Sequence, residues 1–118
     1  ATMQGGRLAA ADLTRARLNG INLTDADCEG VCMAEADIEF AIMANSDFRN
    51  ANLRGANLNG VHLEGANIFK VIIDDADLKE ANLRGVQFLQ CPQLQSARNW
   101  QSSYRDEDLA CGAATPVR

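Results

Sequence analysis

The chain is poor in the residues that build most catalytic and metal sites. It has one histidine, His62, and four cysteines, and the spacing of Cys28 and Cys32 does not put both thiols on one side, so no paired ligand set for zinc is present. No glycine motif that cradles phosphates is present, and no apolar run approaches the ~20 residues that cross a bilayer. The acidic cluster around Asp74 lacks the spacing of an EF-hand loop. The sequence therefore predicts no enzyme activity, no cofactor and no membrane insertion.

The charge balance argues against a further class of protein. The formal net charge is −5, and the excess acid lies in residues 1–90. Nucleic-acid-binding proteins normally carry a basic patch, so direct nucleic-acid binding is not expected. With 118 residues and 47% apolar composition, the chain can form one domain with a buried core. It begins with Ala1 rather than Met, and we expect that upstream residues were removed.

What the chain does contain is an unbroken period of five. Every fifth residue from Met3 to Phe88 is apolar, and the residue two places earlier is Ala in 11 of 18 repeats. The residue between them is Asp or Asn in 10 of 18 repeats. Neither an α-helix nor a flat strand keeps every fifth side chain on one face. The backbone must therefore turn a corner within each repeat, with the apolar and small side chains pointing inward.

A repeat of Ala-(Asp/Asn)-Leu-X-X, as in Ala51-Asn52-Leu53, resembles the pentapeptide-repeat family. The resemblance implies four repeats per coil in an all-β solenoid, a right-handed, four-sided β-helix of about 20 residues per turn. Residues 1–90 would form about 4.5 coils, and residues 91–118 a short α-helical cap. The end of such a stack presents unpaired backbone groups, so it needs a cover.

The segment after residue 90 has a different pattern. Its apolar residues recur at helical spacing, which predicts an amphipathic α-helix that packs on the last coil. These residues are Leu94, Ala97, Trp100 and Tyr104. We interpret Trp100 as an anchor of the cap rather than as a binding platform. Asp106 is placed to cap a short second helix that ends near Gly112.

Two cysteines, Cys91 and Cys111, open and close this segment. If the two helical pieces run antiparallel, these cysteines come together, and we predict a disulfide between them. Cys28 and Cys32 point to opposite sides of the backbone and are not expected to pair. A disulfide implies an oxidising compartment. A β-helix with a disulfide-linked cap also resembles pentapeptide-repeat proteins of the thylakoid lumen, so the thylakoid lumen or a periplasm is the expected location.

One apolar pair breaks the polar exterior that the repeat predicts. Phe69 and Leu89 are 20 residues apart, so they would stack on one face and point outward. An exposed patch of this kind needs a cover or a partner. We predict that part of the cap lies against it. The alternative is a contact surface for another protein.

Two functions follow from these observations. The first is a non-catalytic structural or protein-binding scaffold with an unknown protein partner. The alternative is a DNA mimic, because some pentapeptide-repeat proteins resemble B-DNA in width and charge and bind DNA gyrase. The short stack and the mixed charges on its faces argue against this alternative. We expect a monomer or a weak end-to-end dimer formed through the uncovered first coil.

Overall fold

The computed structural model describes residues 2–113, most of which form a stack of 20-residue coils. Parallel β-bridges join the second residue of each repeat to the residue 20 places later in the chain. They run from Thr2 with Asn22 to Asn67 with Gln87. One bridge occurs every five residues, so each coil has four bridged positions. In the described chain, the β-structure consists of these single positions rather than of longer strands. The sequence period of five thus becomes a coil of four repeats.

Each corner of a coil is a tight turn. The amide that follows the turn donates to the carbonyl three residues before it, as from Ala56 N to Leu53 O at 3.0 Å. The third residue of the turn has positive φ, for example 66° at Gly55 and 61° at Asn50. A type II turn requires positive φ at this position, and glycine adopts it without steric cost. This requirement explains why glycine recurs at the fifth position of the repeat.

The Asp and Asn residues of the second position support these turns. In all ten repeats that have Asp or Asn there, the side-chain Oδ1 accepts a hydrogen bond from the backbone N–H two residues later. The distance from Arg54 N to Asn52 Oδ1, for example, is 3.0 Å. This arrangement is an Asx turn, which satisfies a backbone amide at the corner. The motif therefore has a local physical cause.

Columns of apolar side chains fill the interior. The third residue of each repeat, from Leu23 to Leu83, is buried. The first residue of each repeat, from Ile21 to Ala81, is also buried. Burying one large aliphatic side chain stabilises the fold by about 1.5–3 kcal/mol. The first coil is more open, because in the described chain it has a neighbouring coil on one side only. Leu8 and Leu18 are half-buried there, and Met3 is exposed.

The C-terminal segment contains three short helical pieces. They are α1 (Cys91–Gln95) and two 3₁₀ helices (Trp100–Ser102 and Glu107–Leu109). The prediction of an amphipathic α-helix through Tyr104 is therefore wrong beyond residue 95. Asn99 has a φ of 57°, and a left-handed residue interrupts a right-handed helix. The predicted cap runs to residue 118, and residues 114–118, like residue 1, lie outside the described residues.

The chain between these helical pieces adds a partial layer to the stack. Arg98 forms a parallel bridge with Asp77, and Tyr104 forms one with Asn82. The Tyr104 carbonyl also accepts a hydrogen bond from Leu83 N at 2.8 Å. Backbone groups left unpaired at this edge would be costly when buried and open to other chains when exposed. The last coil is therefore covered by backbone pairing as well as by helical packing.

Asp106 precedes the 3₁₀ helix Glu107–Leu109, as predicted, but the prediction that its side chain caps that helix is wrong. Its side chain makes no capping hydrogen bond to Glu107–Leu109. Its Oδ2 instead accepts a hydrogen bond from Gly85 N at 2.8 Å. One coil earlier, the equivalent amide of Gly65 bonds to the Arg84 carbonyl at 3.3 Å. The Asp106 carboxylate thus replaces the carbonyl that a further coil would supply.

The repeat loses its regular pattern at Phe88, the last of the apolar residues that recur every five positions. Phe88 occupies a position predicted to point inward, but it is 62% exposed, whereas Leu89 is buried. Phe88 has a φ of 68°, which redirects the chain and exchanges the positions of these two side chains. The prediction that Leu89 points outward beside Phe69 is therefore wrong. Phe88 takes the outer position instead.

Candidate interaction surface

Two aromatic rings form an exposed apolar patch beside the cap. The ring centroids of Phe69 and Phe88 are 5.7 Å apart and the ring planes lie at 73°, which is a favourable edge-to-face arrangement. Phe69 is 43% exposed, and Phe88 is more exposed still. The turn that carries Phe69 is held by a hydrogen bond from its backbone N to Asn67 Oδ1 at 3.1 Å. The Phe69 ring is therefore carried on a hydrogen-bonded turn.

A shallow cavity of about 230 Å³ lies beside these rings. Its lining residues, which we call the Phe69–Phe88 surface, are Phe69, Lys70, Phe88, Gln90 and Gln93. Gln93 Nε2 donates hydrogen bonds to Val71 O at 2.6 Å and to Ile68 O at 3.3 Å. These bonds tie α1 to the turn that carries Phe69. The cap therefore borders the patch but leaves both rings exposed.

Lys70 is the charged group of this surface. Its Nζ lies 5.3 Å from the Phe69 ring centroid, within the range of a cation–π interaction. In the described part of the chain, no carboxylate forms an ion pair with Lys70. One coil earlier, Arg49 pairs with Asp47 at 2.7 Å and with Glu29 at 3.8 Å. The hydrogen bond from Arg49 lowers the pKa of Asp47. Arg49, a nearby basic group, therefore already has acidic partners.

Trp100 packs within the cap and does not line this cavity. It is half-buried against the apolar core, and the Arg105 guanidinium lies 5.2 Å from its ring centroid. Arg105 is buried, and its Nη1 donates to the carbonyls of Leu109 and Ala110, both at 2.8 Å. Burial lowers the pKa of Arg105. The burial of Arg105 was not predicted, because a single arginine in a polar segment gives no signal of burial.

A disulfide joins Cys91 and Cys111, whose Cα atoms are 5.6 Å apart. It links the start of α1 to the end of the described cap, and Gln95 Nε2 also donates to Cys111 O at 3.1 Å. Cys28 and Cys32 are free, as predicted. Burial raises the pKa of the Cys28 thiol to about 12. A thiol of this kind is an inert core residue rather than a nucleophile.

The titratable groups outside this surface are scattered. His62 Nδ1 lies 3.2 Å from Glu64 Oε1, whereas Cys32 Sγ lies 3.2 Å from Thr14 Oγ1 in a different column of the stack. Across residues 2–113, no group of three His, Cys, Asp or Glu side chains could hold a metal ion. In the same range, no helix is long and apolar enough to span a bilayer. A second cavity, of about 120 Å³, lies next to His62.

The repeat and the 20-residue coils together define a class of repeat protein. The sequence profile described as Pentapeptide repeats matches residues 3–39, 32–68 and 46–85, in eight copies. These matches span well over half of the chain. The chain belongs to the pentapeptide-repeat family. No curated protein sequence matches it significantly.

Several solved structures are similar to this chain. The pentapeptide repeat protein Rfr23 from the cyanobacterium Cyanothece 51142 is 32% identical, with a TM-score of 0.63 over 82% of this chain and 61% of that one. QnrB1, a plasmid-mediated fluoroquinolone resistance protein, is 18% identical, with a TM-score of 0.57 over 86% of this chain and 59% of that one. A pentapeptide repeat protein from the Arabidopsis thaliana thylakoid lumen is 22% identical, with a TM-score of 0.44 over 79% and 71% of the two chains. The chain spans about three fifths of the length of the first two structures.

Proposed function

We propose that this protein is a non-catalytic scaffold that binds another protein through the Phe69–Phe88 surface. The observation that carries the proposal is the pair of exposed rings, 5.7 Å apart, of which Phe69 lies in a hydrogen-bonded turn. Exposed aromatic groups of this kind are typical anchors of protein–protein contacts. The interior supports the non-catalytic part, because its apolar side chains are closely buried in continuous columns.

Affinity capture from the source cells tests the proposal, with two matched glycine variants. Phe88→Gly removes one ring, and its backbone φ of 68° suits glycine, so the fold should be retained. Phe40→Gly is the control, because Phe40 has a φ of 60° and is 61% exposed. We expect the same partner with the wild type and Phe40→Gly, and its loss with Phe88→Gly. Equal recovery by all three proteins would overturn the proposed surface.

The oxidising compartment belongs to the same proposal. The Cys91–Cys111 disulfide supports it, because such bonds are rare where the thiol pool is reducing. The thylakoid lumen or a periplasm would meet this condition. Intact mass after alkylation, on protein taken from its native cell, should show two free thiols without reductant. Four alkylated thiols in that sample would contradict an oxidising location.

The finer architecture is also part of the proposal. It is a right-handed, four-sided β-helix of about 4.5 coils over residues 1–90, closed by residues 91–118. Membership of the pentapeptide-repeat family supports this arrangement, and so do the parallel bridges at 20-residue spacing. A crystal structure with a left-handed coil, or with a different number of repeats per turn, would contradict it.

A second candidate function is binding of DNA gyrase by mimicry of DNA. It is favoured by the fold shared with QnrB1, a fluoroquinolone resistance protein, and by the net charge of −5. Ion pairs such as Arg15–Glu35, at 2.8 Å, interrupt the acidic faces and weaken the likeness to a phosphate backbone. A gyrase supercoiling assay at large protein excess tests it. Inhibition or protection of gyrase would support this function, and unchanged supercoiling would count against it.

A further inference from the structure

We infer that the partner of the Phe69–Phe88 surface is an acidic peptide segment, whose apolar side chain enters the cavity beside the rings while a neighbouring carboxylate pairs with Lys70. This inference rests on the proposed function and names the chemistry of its partner. It excludes basic and neutral segments as preferred partners. It also assigns separate roles to the rings and to the cation.

The size of the cavity favours a side chain over a small-molecule ligand. The cavity measures about 230 Å³ and is open to solvent. Small-molecule sites usually begin at about 300 Å³ and enclose most of their ligand. Two rings in an edge-to-face arrangement leave a ring face exposed against which an aliphatic or aromatic side chain can pack. One apolar side chain of an extended or helical segment therefore fits the space.

The charge of the residues that line the cavity determines whether an acidic or a basic partner is attracted. Of the five lining residues, Lys70 is charged, and the other four are neutral aromatic and amide side chains. Lys70 contacts the Phe69 ring and has no carboxylate partner among the described residues. The net charge of −5 is spread over the whole chain and is screened beyond about 8 Å at physiological salt. The local cation therefore decides which charge is attracted at contact distance.

The wall beside the rings is fixed before binding. Gln93 bonds to the carbonyls of Ile68 and Val71, and the disulfide at Cys91 holds the start of α1. A surface that is already ordered loses little entropy when a peptide binds. The exposed Gln90 side chain lies at the same wall and can serve the peptide backbone as hydrogen-bond donor and acceptor.

A second copy of the chain fits this surface less well. A two-fold contact places the same patch of both copies face to face. Both Lys70 ammonium groups would then lie within one small apolar contact, and like charges at an interface are unfavourable. An acidic segment avoids this conflict and supplies the missing counter-ion.

Selection from a displayed library of random peptides tests the inference on the full, disulfide-bonded chain. We expect the enriched peptides to carry Asp or Glu close to a large apolar residue. Phe88→Gly should weaken the binding of an enriched peptide by at least about tenfold. Lys70→Gln should weaken it by about three- to fivefold, with a smaller effect at high salt. Phe40→Gly should leave it unchanged.

A charge reversal makes the test decisive. Selection against Lys70→Glu should enrich Lys or Arg in place of Asp and Glu, while the apolar residue remains. The inference is overturned if the wild type enriches no peptide or peptides without an acidic excess. It is also overturned if Lys70→Glu keeps the acidic preference, or if sedimentation shows a dimer of this chain that Phe88→Gly dissolves.

The capture assay distinguishes this failure from failure of the proposed function. A protein captured by the wild type and lost with Phe88→Gly supports the scaffold, even where the peptides show no acidic preference. In that case the partner chemistry inferred from Lys70 is wrong and the surface stands. Capture that does not depend on Phe88 removes both the surface and the inference.

Discussion

Removing the disulfide should destabilise the cap before it destabilises the coils. The bond between Cys91 and Cys111 spans a sequence separation of 20. The loop-entropy relation gives about 3 kcal/mol for a closed loop of that length. If the whole chain unfolded in one step, 3 kcal/mol would lower its melting temperature by about 10 °C, so the loss is large enough to separate unfolding of the cap from that of the coils. The double variant Cys91→Ala/Cys111→Ala leaves the buried columns unchanged. The loss of stability therefore measures what closing the cap contributes.

The single tryptophan allows the cap to be followed separately from the coils. Trp100 lies in the cap, so its fluorescence reports that region, while far-UV circular dichroism reports the whole stack. In urea, the fluorescence transition of the double variant should precede the dichroism transition, whereas the two should coincide in the wild type. Cys32→Ala is the control, because Cys32 is free. Midpoints that match the wild type, with coincident transitions, would show that the disulfide does not hold the cap in place.

Three further predictions concern the coils. Phe48→Ala should lower the free energy of unfolding in urea by about 3–5 kcal/mol, because the ring is fully buried. Asn52→Ala should lower the same quantity by about 0.5–1.5 kcal/mol, because the amide of Arg54 loses its hydrogen bond in the turn. Iodoacetamide should label Cys32 in the folded protein and spare Cys28, whose pKa is raised to about 12, as measured by peptide mass spectrometry.

Matched controls separate these effects from general damage to the fold. Phe40→Ala removes an exposed ring and should change the free energy of unfolding by less than about 1 kcal/mol. Ile72→Ala, in the same column as Asn52, removes no turn hydrogen bond and should also have a small effect. Both free cysteines should be labelled in urea. Equal losses for Phe48→Ala and Phe40→Ala would contradict the assignment of inward and outward positions.

The corner in every repeat could be predicted from the period of five, whereas the coil of four repeats was implied by the resemblance to the pentapeptide-repeat family. One apolar residue in every five requires a corner in every repeat, and Asn52 shows how the second residue of the repeat stabilises that corner. Stacked repeats then bury their apolar side chains against one another, as at Leu53 and Leu58. The disulfide was predictable because Cys91 and Cys111 lie at the two ends of one irregular segment.

The end of the stack was less predictable, because there the local sequence pattern competes with the need to cover the last coil. The helical spacing of the cap residues is real, but the chain also has to supply carbonyls to the coil beneath, as Tyr104 does for Leu83. Asp106 likewise satisfies Gly85 rather than its own helix. These partners are distant in sequence, so no pattern of spacing indicates them.

The interaction surface was predicted only in part for the same reason. Phe69 was placed correctly, because it lies in a regular repeat. Phe88 and Leu89 lie where the repeat ends, and a single residue with positive φ exchanges their positions. Lys70 gave no signal of its own, because its meaning depends on the ring beside it and on the carboxylates that are not paired with it.

Photo-crosslinking from position 88 in the source cells tests the central claim most directly. Phe88 is replaced by p-benzoylphenylalanine, and the same replacement at Phe40 serves as the control, since both residues are exposed and have positive φ. We expect one discrete protein adduct from position 88 and none from position 40. The same adducts from both positions, or no adduct from position 88, would contradict the claim that the exposed aromatic pair is the binding surface.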